Sequence, residues 1–197
     1  MKRFFIAGLA TALFAIVPLG RGWAEEKPAA KTKKVEAKDI TLNIPEGWKQ
    51  KQGSAMRVAE FEIPPAGDDK EPGEYVVFFF GKGQGGDAQA NITRWVGQFE
   101  AEGRKARTVT GESAQGKYTL VDLSGTYNKS IGPPVAGKKK TLPGWRVINV
   151  MIETDAGSYF LKLDGPQKTV AGVENEFRAS FGAKKESEKE QSADKGK

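Results

Sequence analysis

The sequence contains no cysteine and no histidine in its 197 residues. Without a thiol or an imidazole, this chain cannot form a disulfide, a histidine-based zinc site, or a Ser/His/Asp or Cys/His nucleophile arrangement. The same absences exclude haem ligation through histidine and thioredoxin-type redox chemistry. Any catalysis would have to depend on carboxylate, lysine, serine or tyrosine side chains. The composition therefore excludes most enzyme classes before any motif is considered.

The chain also lacks a large excess of charge of one sign. It has 31 Lys and Arg against 25 Asp and Glu, a net charge of +6. Three of the basic residues, Lys2, Arg3 and Arg21, lie in the first 24 residues, and removing these three lowers the net charge from +6 to +3. A charge this small gives no reason to expect nucleic acid as a partner.

The first 24 residues have the pattern of a secretory signal peptide. Lys2 and Arg3 precede an uncharged apolar stretch over residues 4–18, and Gly22 and Ala24 place small residues at positions minus three and minus one of a cleavage site. The apolar stretch is shorter than the ~20 residues that a membrane span needs, so an uncleaved anchor is the less favoured alternative. We expect export to the periplasm or the extracellular space, with cleavage after Ala24.

Both ends of the remaining chain are rich in charge and poor in large apolar side chains. Residues 25–38 are mostly Ala, Lys and Glu, and residues 183–197 contain no aromatic and no branched aliphatic residue. Such segments bury too little apolar surface to offset the entropy lost on ordering. We therefore expect a disordered linker over residues 25–38, a single folded domain over residues 39–182, and a disordered charged tail over residues 183–197.

Within the expected domain, the apolar pattern predicts seven strands and two helices. The strands lie at residues 40–44, 56–63, 75–80, 106–112, 118–127, 145–153 and 158–163. Asp87 is a helix N-cap before an amphipathic stretch that ends at Gly103, and Gly165-Pro166 opens a second helix that ends at Gly182. Because the strand at 75–80 is apolar at every residue, both of its faces need cover. The sequence thus predicts an α+β fold, with a mainly antiparallel sheet of about six to seven strands and one helix on each face, a three-layer α/β/α sandwich.

Two short motifs, together with the order of the elements, resemble a known family. The motifs are Ile44-Pro45-Glu46-Gly47-Trp48 near the start and Tyr159-Phe160-Leu161-Lys162-Leu163-Asp164-Gly165-Pro166 before the last helix. The chain resembles the PsbP-like superfamily, which includes the extrinsic subunit of photosystem II and bacterial DcrB-like exported proteins, and it also resembles uncharacterised secreted bacterial proteins. The resemblance covers residues 39–182. It implies an α/β/α sandwich, export, and an adaptor or assembly role, and it carries over no functional residue.

Two glycine-rich segments match nucleotide-binding patterns, and we interpret both as ordinary loops. Residues 81–86 satisfy G-x-G-x-x-G, but no following strand ends in a ribose-binding acid. Residues 132–139 resemble a Walker A loop, except that Lys139 replaces the Ser or Thr that binds magnesium and no helix follows. Residues 68–71 are acidic but lack the alternating ligands of a calcium loop. We expect no cofactor, no nucleotide and no metal.

Carboxylates are the remaining route to catalysis. Asp122 interrupts an apolar strand, and Glu153 and Asp164 lie at strand ends, so a pair of these acids could act as general acid and base. For Asp122 the alternative is a structural position, either on a polar patch or bonded to Ser124 or Lys162. We expect no catalytic residue, and a carboxylate-dependent hydrolase or glycan-active enzyme of the cell envelope is the alternative function.

The long connection over residues 128–144 is the candidate binding element. Its three prolines stiffen it and lower the entropy cost of presenting side chains to a partner. The candidate partner-binding residues are Lys129, Ile131, Val135, Lys138, Lys139, Lys140, Leu142 and Trp145. A basic, partly apolar loop suits an envelope protein with an acidic surface or an anionic envelope surface. The alternative is a solvated loop whose apolar residues fold back on the sheet edge. The sequence favours a non-catalytic exported binding or adaptor module.

Removal of the signal peptide is directly testable. We expect the exported protein to begin at Glu25, because the small residues at Gly22 and Ala24 meet the requirement of a signal peptidase. Intact-mass measurement of the secreted material would show this terminus. A membrane-bound protein that keeps Met1 would contradict the prediction.

Overall fold

A computed structural model describes residues 30–54, 56–132 and 137–191. Within these ranges the chain forms ten strands and three helices. No helix in these ranges combines the length and the apolar character needed to cross a bilayer. In chain order the elements are β1 (Thr32–Ala37), β2 (Ile40–Pro45), β3 (Lys49–Gln50), β4 (Arg57–Ile63), β5 (Gly73–Gly81), α1 (Ala88–Val96), β6 (Lys105–Ser113), β7 (Gly116–Ser130), β8 (Lys139–Glu153), β9 (Gly157–Pro166), α2 (Gln167–Gly172), α3 (Glu174–Ser180) and β10 (Ala183–Glu190).

The main sheet has eight strands in the order β10-β6-β7-β8-β9-β5-β4-β3, and all of its neighbouring pairs are antiparallel. Strands β1 and β2 form a separate two-stranded antiparallel sheet. The predicted α+β class with a mainly antiparallel sheet is confirmed. The expected count of six to seven strands is too low, because β3 and β10 come from charged segments with no apolar alternation.

The core consists of two clusters on opposite faces of the main sheet. Leu120 and Val121 are neighbours in β7 and belong to different clusters, as expected for successive strand residues that point to opposite faces. We call the side of Leu120 the first face and the side of Val121 the second face. Leu42 of β2 and Phe177 of α3 pack on the first face. Trp95 of α1 packs on the second face.

Helix α1 begins as its sequence predicts and ends earlier than expected. The Asp87 side chain accepts a hydrogen bond at 2.9 Å from a first-turn backbone N–H, as an N-cap does. The helix ends at Val96 because Gly97 disfavours its continuation. Phe99, which lies within the stretch predicted to be helical up to Gly103, instead forms a β-bridge with Tyr127, and the two ring centroids are 5.0 Å apart.

The predicted second helix is divided in two. Helices α2 and α3 meet at Val173, whose φ of −123° departs from helical geometry directly after Gly172. The apolar residues expected to face the core still do so, since Val170, Phe177 and Phe181 are fully buried on the first face. The periodicity therefore identified the buried side of the segment, although it overlooked the break.

The prediction of a disordered linker over residues 25–38 is wrong for residues 32–37. These residues form β1, which pairs with the whole of β2. Ala37 is buried, and Val35 packs against the first-face cluster, while Glu36 between them is exposed. Strand pairing satisfies the backbone polar groups, so two modest apolar side chains suffice to hold the segment. Residues 1–29, including the expected cleavage site at Ala24, lie outside the described residues.

The prediction of a disordered tail over residues 183–197 is wrong for residues 183–190. These residues form the edge strand β10, which pairs with β6. Glu188 is buried and forms an ion pair with the buried Arg178 of α3, and it also accepts a hydrogen bond from the Tyr118 hydroxyl at 2.8 Å. Backbone pairing and this ion pair order residues 183–190, which have too few apolar side chains to be ordered by hydrophobic burial. Residues 192–197 lie outside the described residues.

The Glu188 contacts predict an unequal response to two similar substitutions on β10. Glu188→Gln should lower the free energy of unfolding by about 3 kcal/mol, because it removes one of the two carboxylates that pair with the buried Arg178 guanidinium and leaves only the more distant Glu174. Glu186→Gln is the matched control, since Glu186 is exposed on the same strand and its replacement should cost less than about 0.5 kcal/mol. Urea denaturation of both variants measures the difference, and equal losses would contradict the assigned role of β10.

Candidate functional site

The expected long loop over residues 128–144 is mostly β-structure. Strands β7 and β8 pair as far as Ser130 and Lys139, so the connection between them is residues 131–138. The side chains of Asn128 and Thr141, on facing positions, form a hydrogen bond at 2.8 Å. The prediction of a long loop is therefore wrong, because residues 128–130 and 139–144, including Lys140 and Pro143, belong to the paired strands of a hairpin. We call residues 126–144 the outer hairpin.

A β-bulge bends the outer hairpin relative to the sheet. Gly125 pairs with Trp145 and Tyr127 pairs with Leu142, so β8 carries one more residue than β7 between the two pairs. Gly144, within this bulge, has a φ of +66°, a left-handed conformation that favours glycine. An extra residue on one strand bends it and increases the twist. The bend brings Lys129 within reach of β9 and β5, which lie beyond β8 in the sheet.

A buried carboxylate lies under the outer hairpin on the second face. Asp164 of β9 is 1% exposed. Its Oδ1 accepts hydrogen bonds from the ammonium group of Lys129 at 2.9 Å and from the indole N–H of Trp145 at 3.2 Å. Its Oδ2 lies 3.0 Å from the ammonium group of Lys162, which also donates to the Tyr127 hydroxyl at 3.0 Å. We call these five residues the charge cluster.

The charge cluster is held in its ionised form. Burial alone would raise the pKa of Asp164, but the ammonium groups of Lys162 and Lys129 outweigh this effect and hold the pKa below its usual range. Burial would likewise lower the pKa of Lys162 and of Lys129, and the attraction of Asp164 raises both pKa values instead. Glu74 lies 3.3 Å from Lys129. Two carboxylates thus face two ammonium groups, and the charges balance.

This chemistry gives the charge cluster a positioning role. A group transfers protons efficiently when its pKa lies near the working pH, and the pKa shifts of Asp164, Lys129 and Lys162 move all three away from neutrality. A deprotonated carboxylate between two protonated amines is an electrostatic anchor. Because Lys129 and Trp145 belong to the hairpin strands and Asp164 to β9, the anchor holds the outer hairpin against the sheet.

Four of the predicted partner-binding residues face inward or are paired. Lys129 and Trp145 belong to the charge cluster. Leu142 is buried in the second-face core. The Lys140 ammonium group lies 3.3 Å from the Glu71 carboxylate at the surface. Their placement fits the alternative that the apolar residues of this segment fold back on the sheet.

The other predicted residues lie at the far end of the outer hairpin. Ile131 is 44% exposed, and it and Met56 are the large apolar side chains most exposed in the described part of the chain. Lys138 and Lys139 are also exposed. The Ile131 backbone N–H donates to the Lys138 carbonyl at 3.0 Å, which brings these residues together. Val135 lies outside the described residues.

The acids considered for catalysis do not come together. Asp122 lies on the first face and binds Arg146 through both oxygens at 2.9 and 2.6 Å, so the expectation of Ser124 or Lys162 as its partner is wrong. Asp164 lies on the opposite face, and Glu153 is exposed at the end of β8. Strand alternation explains the separation of Asp122 from Asp164, because it assigns them to different sides of one sheet.

The glycine-rich segment after β5 has a packing explanation. A Cβ at Gly85 would lie 2.8 Å from the ring of Phe160, and its φ of +95° also favours glycine. The Asn91 side-chain amide donates to the Gly85 carbonyl at 2.9 Å, which closes the connection onto α1. These contacts account for glycine at this position without a ligand.

Sequence reasoning missed the charge cluster as a unit. Lys162 and Asp164 are two residues apart in an otherwise apolar strand, so they lie on the same side. That spacing was the available signal for a buried ion pair. The partners Lys129 and Trp145 could not be found in the same way, because only the bend of the outer hairpin brings them to β9.

Comparisons with known proteins identify structural neighbours only. No family model matches the chain, and no curated protein matches it. The solution structure of a cyanobacterial PsbP from Synechocystis sp. PCC 6803 is 15% identical, with a TM-score of 0.44, over 88% of this chain and 99% of that chain. A Pseudomonas aeruginosa protein of unknown function, described as a candidate regulator, is 14% identical, with a TM-score of 0.42, over 76% of this chain and 93% of that chain. The chain is similar to a PsbP in these measures alone, and the similarity brings neither a site nor an activity with it.

Replacing the buried carboxylate tests the anchor. Asp164→Asn should lower the free energy of unfolding by about 3 kcal/mol, because it leaves the half-buried ammonium group of Lys162 without its carboxylate partner and that of Lys129 with Glu74 alone. The folded-state pKa of Asp164 lies below the unfolded value of about 3.9, so its ion pairs stabilise the fold fully above that pH and progressively less as the pH falls below it. Urea denaturation as a function of pH measures both effects.

Asp68→Asn is the matched control. Asp68 also pairs with a lysine, Lys168 at 2.8 Å, but both side chains are exposed. Because water screens an exposed ion pair, this substitution should leave the free energy of unfolding close to that of the parent. Similar losses for the two variants, or an unchanged acid slope in Asp164→Asn, would contradict the assigned role of the charge cluster.

Proposed function

We propose that the protein is a non-catalytic binding or adaptor module whose outer hairpin contacts an anionic surface, either of an envelope protein or of the envelope itself. The observation that carries the proposal is the exposed group of Ile131, Lys138 and Lys139 at the end of a hairpin whose base is anchored by buried Asp164. Export and cleavage after Ala24 belong to the same proposal, as does the three-layer arrangement that the family resemblance implies.

The anchor supports the proposal because it reduces the cost of binding. A loop that orders only on binding loses conformational entropy at that moment, whereas a pre-ordered one does not. Pairing with acids also removes Lys129 and Lys140 from the charges available to a partner. Lys138 and Lys139 remain, at about 1 kcal/mol each near an anionic surface, together with the apolar contact of Ile131. The expected association is weak and sensitive to salt.

The charge environment of the carboxylates also supports a binding role over the alternative hydrolase. A carboxylic acid that donates a proton near neutral pH needs a raised pKa. In the described part of the chain, each carboxyl group with a resolved shift, namely Asp68, Asp164 and Glu174, has its pKa lowered. At Glu174, burial acts in the opposite direction but is outweighed by Arg146. No observation favours the carboxylate-dependent enzyme as a second proposal.

Binding to vesicles tests the outer hairpin. The double variant Lys138→Ser, Lys139→Ser should bind vesicles rich in phosphatidylglycerol at least about tenfold more weakly than the parent, because two surface charges are lost. The parent should bind zwitterionic vesicles weakly and should lose anionic binding in high salt. Co-sedimentation at two salt concentrations measures both effects. Immobilised acidic polypeptide in place of vesicles distinguishes a protein surface from a lipid surface.

Lys184→Ser, Lys185→Ser is the matched control, because it removes the same charge from exposed positions on β10. It should leave binding within about twofold of the parent if the outer hairpin is the contact surface. An equal loss in both double variants would show that net charge alone drives binding. That outcome, or salt-insensitive binding by the parent, would contradict the proposal.

A further inference from the structure

Strand β6 has an open edge at its amino-terminal end. Strand β10 covers β6 only from Ser113 to Val109, and the Gln191 N–H, bonded to the Thr108 carbonyl at 2.9 Å, is the last contact along this edge. Residues 105–107 pair with β7 on their other side and are exposed. Within the ranges that the structure describes, no segment hydrogen-bonds to their outer side.

The open edge presents hydrogen-bonding groups outward. The Thr108 carbonyl points away from β7, towards Gln191. In an antiparallel sheet, alternate residues direct their N–H and C=O groups to the same neighbour. The N–H and C=O of Ala106 therefore also point away from β7, into solvent. An extended chain placed there would continue the line of β10 along the sheet.

Grooves of different character flank this edge on the two faces. On the second face, a groove of about 690 Å³ runs between α1 and β6; Ile92, Val96 and Ala106 supply its apolar lining, and charged side chains, Arg107 and Glu190 among them, also line it. On the first face, a groove of about 260 Å³ is lined by Lys105 and Arg107 and by Asp122, whose carboxylate is bound by Arg146. Successive side chains of an added strand would enter the two grooves alternately.

The charges at the edge select the side chains of a partner. Lys105 has no acidic partner in the described part of the chain. Among the residues that the structure describes, Arg107 forms an ion pair with Glu190, and the two side chains are 47% and 69% exposed, so water screens the pair. Acidic side chains therefore suit the first-face groove, and apolar side chains suit the second-face groove. A second copy of this edge would oppose Lys105 and Arg107 with like charges, which disfavours self-pairing.

We propose that the open edge of β6 binds an extended segment of a partner protein in which acidic and apolar residues alternate, adding a strand to the main sheet. Main-chain hydrogen bonds would supply affinity, and the two grooves would supply specificity. The site lies on different strands from the outer hairpin, so it stands apart from the function proposed above. Either can fail while the other holds.

A synthetic peptide tests the strand addition. The probe is a labelled peptide in which glutamate and leucine alternate, and its comparison peptide has the same composition with the two residue types in separate blocks. The alternating peptide should bind the full chain at least about tenfold more tightly, since only it directs leucine and glutamate to opposite grooves. Ala106→Pro should weaken binding by at least about tenfold, because it removes an outward N–H that the fold does not use.

A modified peptide and a pair of charge variants complete the test. An alternating peptide N-methylated at its central residue should lose binding to the unaltered chain, which gives a result even if Ala106→Pro does not fold. Lys105→Glu should weaken binding, whereas Lys185→Glu, an equal charge change on exposed β10, should not. Equal binding of the alternating and block peptides would overturn the proposal. Much tighter peptide binding by a chain ending at Gln191 would also overturn it, because it would show that the protein's own last residues fill the edge. A dimer that is detected by sedimentation and abolished by Ala106→Pro would overturn it as well.

Discussion

The outer part of the molecule depends on one buried carboxylate between two ammonium groups. Asp164 lies in the apolar interior of the second face, where an unpaired charge would cost several kcal/mol. It is stable there only because Lys162 approaches from its own strand and Lys129 from the outer hairpin. The pairing of the buried Asp164 charge accounts for three features of the hairpin. These are its bend, the burial of Trp145 against β9 and the position of the exposed end.

The first face uses ion pairs in a different way. Arg146 links Asp122 of β7 to Glu174 of α3, and Arg178 extends the series to Glu188 of β10. These pairs lie around the rim of the apolar cluster, where they join a helix to three strands. A segment with almost no apolar side chains can therefore complete the sheet. On both faces, ion pairs between charged residues order chain segments that bury too little apolar surface to be held by hydrophobic packing.

The contrast between apolar and charged segments also explains how far the sequence could predict the fold. Residues 75–80 of β5, all apolar, and the capped start of α1 at Asp87 follow from local rules of period and capping, and their positions were predicted. Strand β10 is ordered by contacts with distant residues of β6 and α3, and β1 by pairing with the neighbouring β2, and composition records neither. The charge cluster could be predicted only in part. Lys162 and Asp164 lie on the same side of one strand, whereas Lys129 reaches them only because of a bulge that no sequence motif predicts.

The closing of the sheet by β10 has a consequence for the order of folding. Strand β10 covers β6, and α3 packs against β2, so segments near both ends of the described chain complete the same core. A ribosome releases these segments far apart in time. The amino-terminal hairpin can meet earlier parts of the core first, since the Gln115 side-chain amide donates to the Thr41 carbonyl, but it lacks its contacts with α3 until Phe177 has emerged. Contacts that span so much of the chain slow folding, so we expect the core to be completed only when nearly all of the described chain is free.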